Sequence, residues 1–289
     1  MKAVFLKELK SYFKGLTGYI FIGLMFLVIS FYYIVYTMYY QYADYYYVLD
    51  ACVGLIMFIF PVLTMRIFSE EMRNKTDQLL LTSPVKTSGI VLGKFLACEC
   101  IFLIVILLTL IQPLVTIVQF KGTLNSAFTF GGYLAFFLLG TSFIAIGMFI
   151  SSLTENQLVA AVITIVVFML LNLTNGLYNI FPSSRYFSLG LLIAGLALLV
   201  FLIYRAISDV IISGIVGVVM LLALLATFFI IPTAFDGLVV KIMKEFSVFE
   251  RFGDIFTGVF ELNHVVFFLS VIVFFLFLTY QEVEKKRWS

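Results

Sequence analysis

The stretch RIFSEEMRNKTDQLLLTSPVKTSGIVLGK, Arg66 to Lys94, decides how the rest of the chain is read. It concentrates charge between two segments apolar enough to live in lipid. The chain of 289 residues is 63% hydrophobic and 12% charged, with a mean hydropathy of +1.14. Soluble domains carry roughly a quarter of their residues as charges. A chain this apolar lacks the polar surface to face water and takes the lipid bilayer as its solvent. The fold class that follows is an all-α polytopic membrane protein, read as one domain over 1–289. A net charge of +2 gives no case for a nucleic-acid partner, and none is expected.

Outward from the charged stretch, apolar runs of spanning length fall at 17–38, 48–67, 89–118, 130–152, 157–176, 187–204, 209–231 and 264–281. That makes eight expected transmembrane helices. The first run is too long for a signal-peptide core and no small-x-small cleavage site follows it, so it reads as an uncleaved span. The third exceeds a span and should tilt or project, with a kink expected near Pro113. Charge sets the orientation. Of the 18 Lys and Arg, only Lys121, Arg185, Lys241, Lys244 and Arg251 lie outside when the N-terminus is cytoplasmic. The positive-inside rule is then obeyed and both termini are cytoplasmic.

Other segments fit this frame. Residues 1–16 should form an interfacial amphipathic helix, with Phe5, Leu6, Leu9, Phe13 and Leu16 set against Lys7, Lys10 and Lys14. The run Tyr32 to Tyr47 suits an aromatic belt at the outer face. Residues 233–263 form an outer-side stretch in which Val239, Ile242, Met243, Phe246 and Phe249 recur at helical spacing. In the charged stretch itself, a short helix is expected from Ser69 to Leu81. Glu70 and Glu71 sit near its start, where the helix dipole favours anions, and Met72, Thr76, Leu79 and Leu80 line one side. Pro84 stops it. Such a helix, pinned at both ends by spans, could transmit a push; a merely solvated inner loop fits the same residues.

RIFSEEMRNKTDQLLLTSPVKTSGIVLGKFLA closely resembles the loop between the second and third spans of type-2 ABC transporter permeases. It is most similar to the branch of gliding-motility and nitrous-oxide-reductase accessory permeases. The resemblance rests on Phe68 to Glu71, Arg73, Thr76, Leu79 to Leu81, Ser83-Pro84 and Gly93-Lys94. SSLTENQLVAA, Ser151 to Ala161, resembles the family's inner turn between spans four and five. SVFERFGDIFTGVFELNHVVFFLS, Ser247 to Ser270, resembles the outer segment entering the last span, and the ending EVEKKRW also fits. The family core has six spans, so the pair at 187–231 reads as an extra hairpin. The resemblance makes residues 69–84 a cytoplasmic coupling helix that docks in a separate ABC ATPase subunit. Glu70, Glu71, Arg73, Thr76 and Asp77 would make polar contacts there, with Leu79 and Leu80 as the buried anchor. It also implies a dimer, with a second copy or a related permease, two ATPase copies, and export rather than import. The site in the bacterial cell membrane follows from the same family. This chain would bind no cofactor, and ATP and Mg would sit on the ATPase. A phosphate-binding loop needs G-x-x-x-x-G-K-[ST], and GIVLGKF, Gly89 to Phe95, is one residue short with Phe95 at the hydroxyl position.

A few polar residues stand out at depth. Glu99 is a functional candidate by default, with pairing to Lys94 as the competing role. Asn172 and Asn175 could line a polar path or simply join helices. His264, the one histidine, has no metal-ligating neighbours in sequence. A membrane protease of the Glu-Glu-x-x-x-Arg type is excluded, because Lys75 stands at the arginine position and no second histidine exists. An ion-coupled secondary transporter is the other functional reading; that class expects repeats and midplane charges, and here no repeat stands out and few charges lie at depth apart from Glu99.

Overall fold

The computed structural model describes the chain apart from residues 43, 79–84, 121–125, 178–181, 183, 208–209, 231–234, 257–261 and 289. The described residues are helical, with no strand among them. The helices are α1 (Lys2–Lys14), α2 (Thr17–Tyr33), α3 (Tyr46–Thr64), α4 (Ser69–Arg73), α5 (Thr87–Thr109), α6 (Ile111–Gln119) and α7 (Ser126–Leu153). They continue as α8 (Gln157–Leu177), α9 (Arg185–Ile207), α10 (Val210–Ile230), α11 (Leu238–Phe246), α12 (Val248–Phe256) and α13 (Leu262–Trp288). The all-α polytopic expectation is met.

Six stretches among the described residues are long and apolar enough to cross a bilayer: Thr17–Tyr39, Tyr46–Arg73, Thr87–Gln119, Phe128–Leu153, Gln157–Thr174 and Leu262–Trp288. Eight were expected. The remaining two fall in α9 and α10, where the described apolar stretches are the shorter Arg185–Ala197 and Gly217–Ile230. The helices gather into two compact units. Met1–Leu170 with Val248–Ser289 form the larger, and Leu171–Ser247 form the smaller, in which α9 packs along α10.

In the larger unit α7 is the central helix, against which α3, α5, α12 and α13 all pack. Its glycines make this close approach work. A side chain at Gly147 would collide with Thr64, whose Cβ stands 2.7 Å from the position a Cβ would take, and one at Gly140 would run into Phe102 and Phe60. The space is filled by aromatics instead. Phe60 meets Phe102 edge-on at 5.2 Å and Phe143 at 5.5 Å, and Phe143 stacks on Phe168 at 4.2 Å. In lipid there is no hydrophobic drive between helices, so small residues and tight contact must hold them together.

The expected kink in the third span is a break at Leu110, between α5 and α6. Pro113 cannot donate to the carbonyl four residues back, which is that of Thr109. Tyr133 Oη supplies the missing donor at 3.0 Å. The tyrosine run from Tyr32 to Tyr47 divides by role. Tyr39, Tyr40 and Tyr42 are exposed, as a belt requires, after α2 continues as a π-helical turn through Ile34–Tyr39. Tyr45 is fully buried: it stacks on Tyr133 and donates to Gln112 Oε1 at 2.7 Å.

Replacing Gly147 by valine should overpack the α3–α7 contact and cost about 1–3 kcal/mol or more. Gly23→Ala, where nothing lies within 4 Å, should cost nothing and can stabilise by up to about 1 kcal/mol, because alanine is the better helix former. Thermal unfolding in detergent compares the two.

Candidate functional site

The charged stretch is organised around an ammonium. Lys94, on the second turn of α5, has a side chain only 1% exposed. Its Nζ donates to Glu8 Oε1 at 3.0 Å and to the Ile67 carbonyl at 2.9 Å, and pairs with Glu71 Oε2 at 2.9 Å. The Phe68 ring lies beneath it at 5.2 Å. Lys7 closes the cluster from the rim, donating to Glu71 Oε1 at 2.7 Å. Burial works against the charge on Lys7, but Glu71 and then Glu8 outweigh it and hold the ammonium above its ordinary range. A buried charge costs several kcal/mol unless it is paired and its hydrogen bonds are filled. Here all three ammonium donors have acceptors.

This arrangement needs α1 beside α5. Val4, Glu8 and Tyr12, one helical turn apart, are the buried face of α1. Val4 closes onto Gly93, where a side chain would come within 3.1 Å of it, and Tyr12 Oη donates to the Leu63 carbonyl at 3.2 Å. Leu6 and Leu16 remain exposed, and the protein-facing stripe is the one that carries Glu8.

A second knot holds the start of the charged segment. Ser151, near the end of α7, accepts from the Phe68 and Ser69 backbone amides at 3.1 and 3.2 Å. Its hydroxyl donates to the Met65 carbonyl at 3.1 Å. Ser69 Oγ in turn donates to the Ser151 carbonyl at 3.1 Å. The first amides of a helix have no partner within it, so one serine from α7 closes the gap between α3 and α4. From the other end of the chain, Lys286 donates to Met72 Sδ at 3.0 Å and to the Ser152 carbonyl. Arg287 donates to Thr87 Oγ1 at 3.2 Å. Within the larger unit, α1, the charged segment, the end of α7 and the end of α13 thus share one end of the bundle.

The expected continuous helix from Ser69 to Leu81 is corrected. α4 stops at Arg73, and Lys75 takes a left-handed φ of 55°. The Thr76 amide returns to the Glu71 carbonyl at 2.9 Å and the Lys75 amide to Met72 at 3.1 Å. That is the paired closure of a Schellman end, with lysine where glycine is usual, so no residue type marks the stop. Asp77 and Gln78 resume helical geometry. Glu71 faces inward onto Lys94 and Lys7. Glu70 pairs with Arg66 through two bonds of 2.7 Å, and Arg66 also donates to Thr17 at 2.8 Å. Arg73, Asn74, Lys75, Thr76 and Gln78 form the exposed tip, with Asp77 half-buried. Leu79 and Leu80 lie outside the described residues.

Lys94 is engaged by Glu8 and Glu71 rather than by Glu99. Glu99 is buried on α5 and accepts from Thr141 Oγ1 at 2.7 Å. Asn172 is exposed on α8, and the side chain of Asn175 is outside the description. Sequence reasoning missed Glu8, Lys7 and Ser151. The available signal was Glu8 itself, the only acid before Asp44, spaced one turn from Val4 and Tyr12.

Lys94→Ala would leave two carboxylates facing each other and should cost about 3–5 kcal/mol, seen as a lowered unfolding midpoint. Adding Glu8→Gln should recover part of that loss. Ser151→Ala strips the acceptor from two buried amides, at about 1–3 kcal/mol. Hydrogen exchange should then quicken at Phe68 and Ser69 while the middle of α7 stays protected.

A family model described as ABC-2 family transporter protein matches residues 37–184. No curated protein matches the chain. The matched region runs from the tyrosine run through α3, the charged segment and α5 to α8, over half of the sequence. This chain belongs to the ABC-2 family of transporter proteins, and is a multi-pass membrane permease of a family that works with an ABC ATPase.

Proposed function

We propose that this permease serves an ATP-driven exporter and that residues 66–78 are where its ATPase pushes. The observation that carries the reading is the anchoring of this segment. Lys94 from α5, Lys7 from α1, Ser151 from α7 and Lys286 from α13 all grip it. A force on the exposed tip Arg73–Gln78 would reach four other helices through short polar contacts, without passing through a flexible linker.

On this reading the gathered end of the larger unit is cytoplasmic, as the charge bias requires, and both chain ends lie there. Arg73, Thr76 and Asp77 face the ATPase, with Glu70 beside them. Leu79 and Leu80 complete the contact. Glu71 belongs to the internal clamp. Two ATPase subunits carrying ATP and Mg would close under a permease dimer, in which substrate crosses between the two permeases. The resemblance of the 66–94 stretch supports the gliding-motility and nitrous-oxide accessory branch, in a bacterial cell membrane. Ion-coupled transport through Glu99 is the lesser reading, since the family works with an ATPase.

The test uses permease co-purified with its ATPase in nanodiscs. Arg73→Glu combined with Lys75→Glu should reduce permease-dependent ATP hydrolysis about tenfold, with an unfolding midpoint like that of the parent. Glu71→Lys should instead lower the midpoint, because it faces two cations. Parent-level hydrolysis in the tip variant, labelling of Lys75 from outside intact cells, or transport without ATP would each overturn the proposal.

A further inference from the structure

Helix α1 has three faces, and the protein packs on one of them. Val4, Glu8 and Tyr12 are that buried face. Leu6, Leu9 and Phe13 share a second side, with Leu6 exposed and the other two half-buried. Lys7, Lys10 and Lys14 fall within an arc of about 60° on the third. Glu8 is the only acid before Asp44, and it faces inward onto Lys94. Lys7 is held by Glu71 at 2.7 Å and lies 3.5 Å from Glu8. Lys10 and Lys14 are exposed, and no carboxylate among the described residues pairs with either. The third face therefore presents cations without anions.

The fold sets the depth of this face. Through Gly15 and Leu16, α1 leads into the span that begins at Thr17, and it lies against Gly93 and Lys94 of the span Thr87–Gln119. Those 33 residues make about 50 Å of helix, roughly 20 Å more than the hydrocarbon core. Divided between the two ends, the excess puts residues 87–93, about 10 Å of helix, outside the core. α1 thus lies where headgroups meet acyl chains. Leu6, Leu16 and Tyr19 are exposed there, as that boundary allows, and Tyr19 meets Phe13 edge-on at 5.6 Å.

We propose that Lys10 and Lys14, with Lys7 beside them, bind the phosphate headgroups of anionic phospholipid, while Leu6, Leu9 and Phe13 rest on its acyl chains. The occupant follows from charge. A zwitterionic headgroup carries its own cation beside the phosphate, whereas an anionic one leaves that phosphate for the lysines. The gain is about fivefold in affinity for each lysine at the surface. A helix with an apolar side flanked by cations binds a leaflet through both at once. Because Lys7 also grips Glu71, lipid on this face borders the charged segment itself. The surface belongs to α1 and the spans it touches, and stands whether or not residues 66–78 couple to an ATPase.

The full chain in detergent is titrated with phosphatidylglycerol or with phosphatidylcholine of the same acyl chains, and native mass spectrometry counts bound lipid. Phosphatidylglycerol should bind the parent more tightly. Lys10→Gln combined with Lys14→Gln should raise its half-saturating concentration about twentyfold without moving the unfolding midpoint, and arginine at both positions should preserve binding. Arg73→Gln with Lys75→Gln removes the same charge from the exposed tip and should leave lipid binding unchanged. In nanodiscs, hydrogen exchange along α1 of the parent should slow when phosphatidylglycerol replaces phosphatidylcholine, a reading that needs no variant. Equal binding of the two lipids by the parent, parent-like binding in the glutamine variant, or an equal loss in the tip variant would each overturn the surface. So would a glutamine variant that keeps its lipid but loses its co-purifying ATPase, which would assign these lysines to an acidic protein face.

Discussion

The ammonium of Lys94 is the constraint on which the charged end of this permease depends. It lies on a span, out of reach of water, and its three donors are met by Glu8, Glu71 and the Ile67 carbonyl. Those acceptors come from α1, α4 and the turn that joins α3 to α4. A single buried charge therefore fixes three pieces of chain whose own propensities would not hold them. α4 is five residues long, far too short to be helical by itself. It persists because Ser151 satisfies its first amides and Lys94 grips its carboxylate.

Two kinds of contact share the work in the larger unit. At the bundle's middle, α7 packs through glycines at 140 and 147 and the aromatic cluster around Phe60, which is how helices associate where every solvent molecule is a lipid tail. At the charged end, side chains from five helices interlock through hydrogen bonds and ion pairs. The first kind makes a stiff body; the second ties the exposed tip to it. A push on Arg73 to Gln78 would meet little slack, the mechanical property a transmission element needs. Glu99 stands apart from both, accepting instead from Thr141 on α7.

Much of the fold was legible in the residues. Apolar run lengths gave the spans, since a bilayer imposes a minimum length that few soluble helices reach with so little charge. Pro113 marked its break, and the Ser69 and Ser151 stretches that the family resemblance singled out turn out to bond directly to each other. The site was only partly legible. Glu71 reads as a surface carboxylate in RIFSEEMR, and nothing local says that it turns inward. The end of α4 after Arg73 was hidden, because the left-handed Lys75 beyond it is held by backbone bonds rather than by its own preference.

By itself the sequence determined the solvent, the helical class and the location of the charged segment, because hydropathy and charge act through composition and order along the chain. Which charges meet was decided only by tertiary structure. Glu8 and Lys94 lie 86 residues apart, and Lys286 reaches Met72 across 214. Pairing at such separations follows from how the spans pack, and the cost of leaving a lysine unpaired away from water then selects the arrangement in which every donor finds an acceptor.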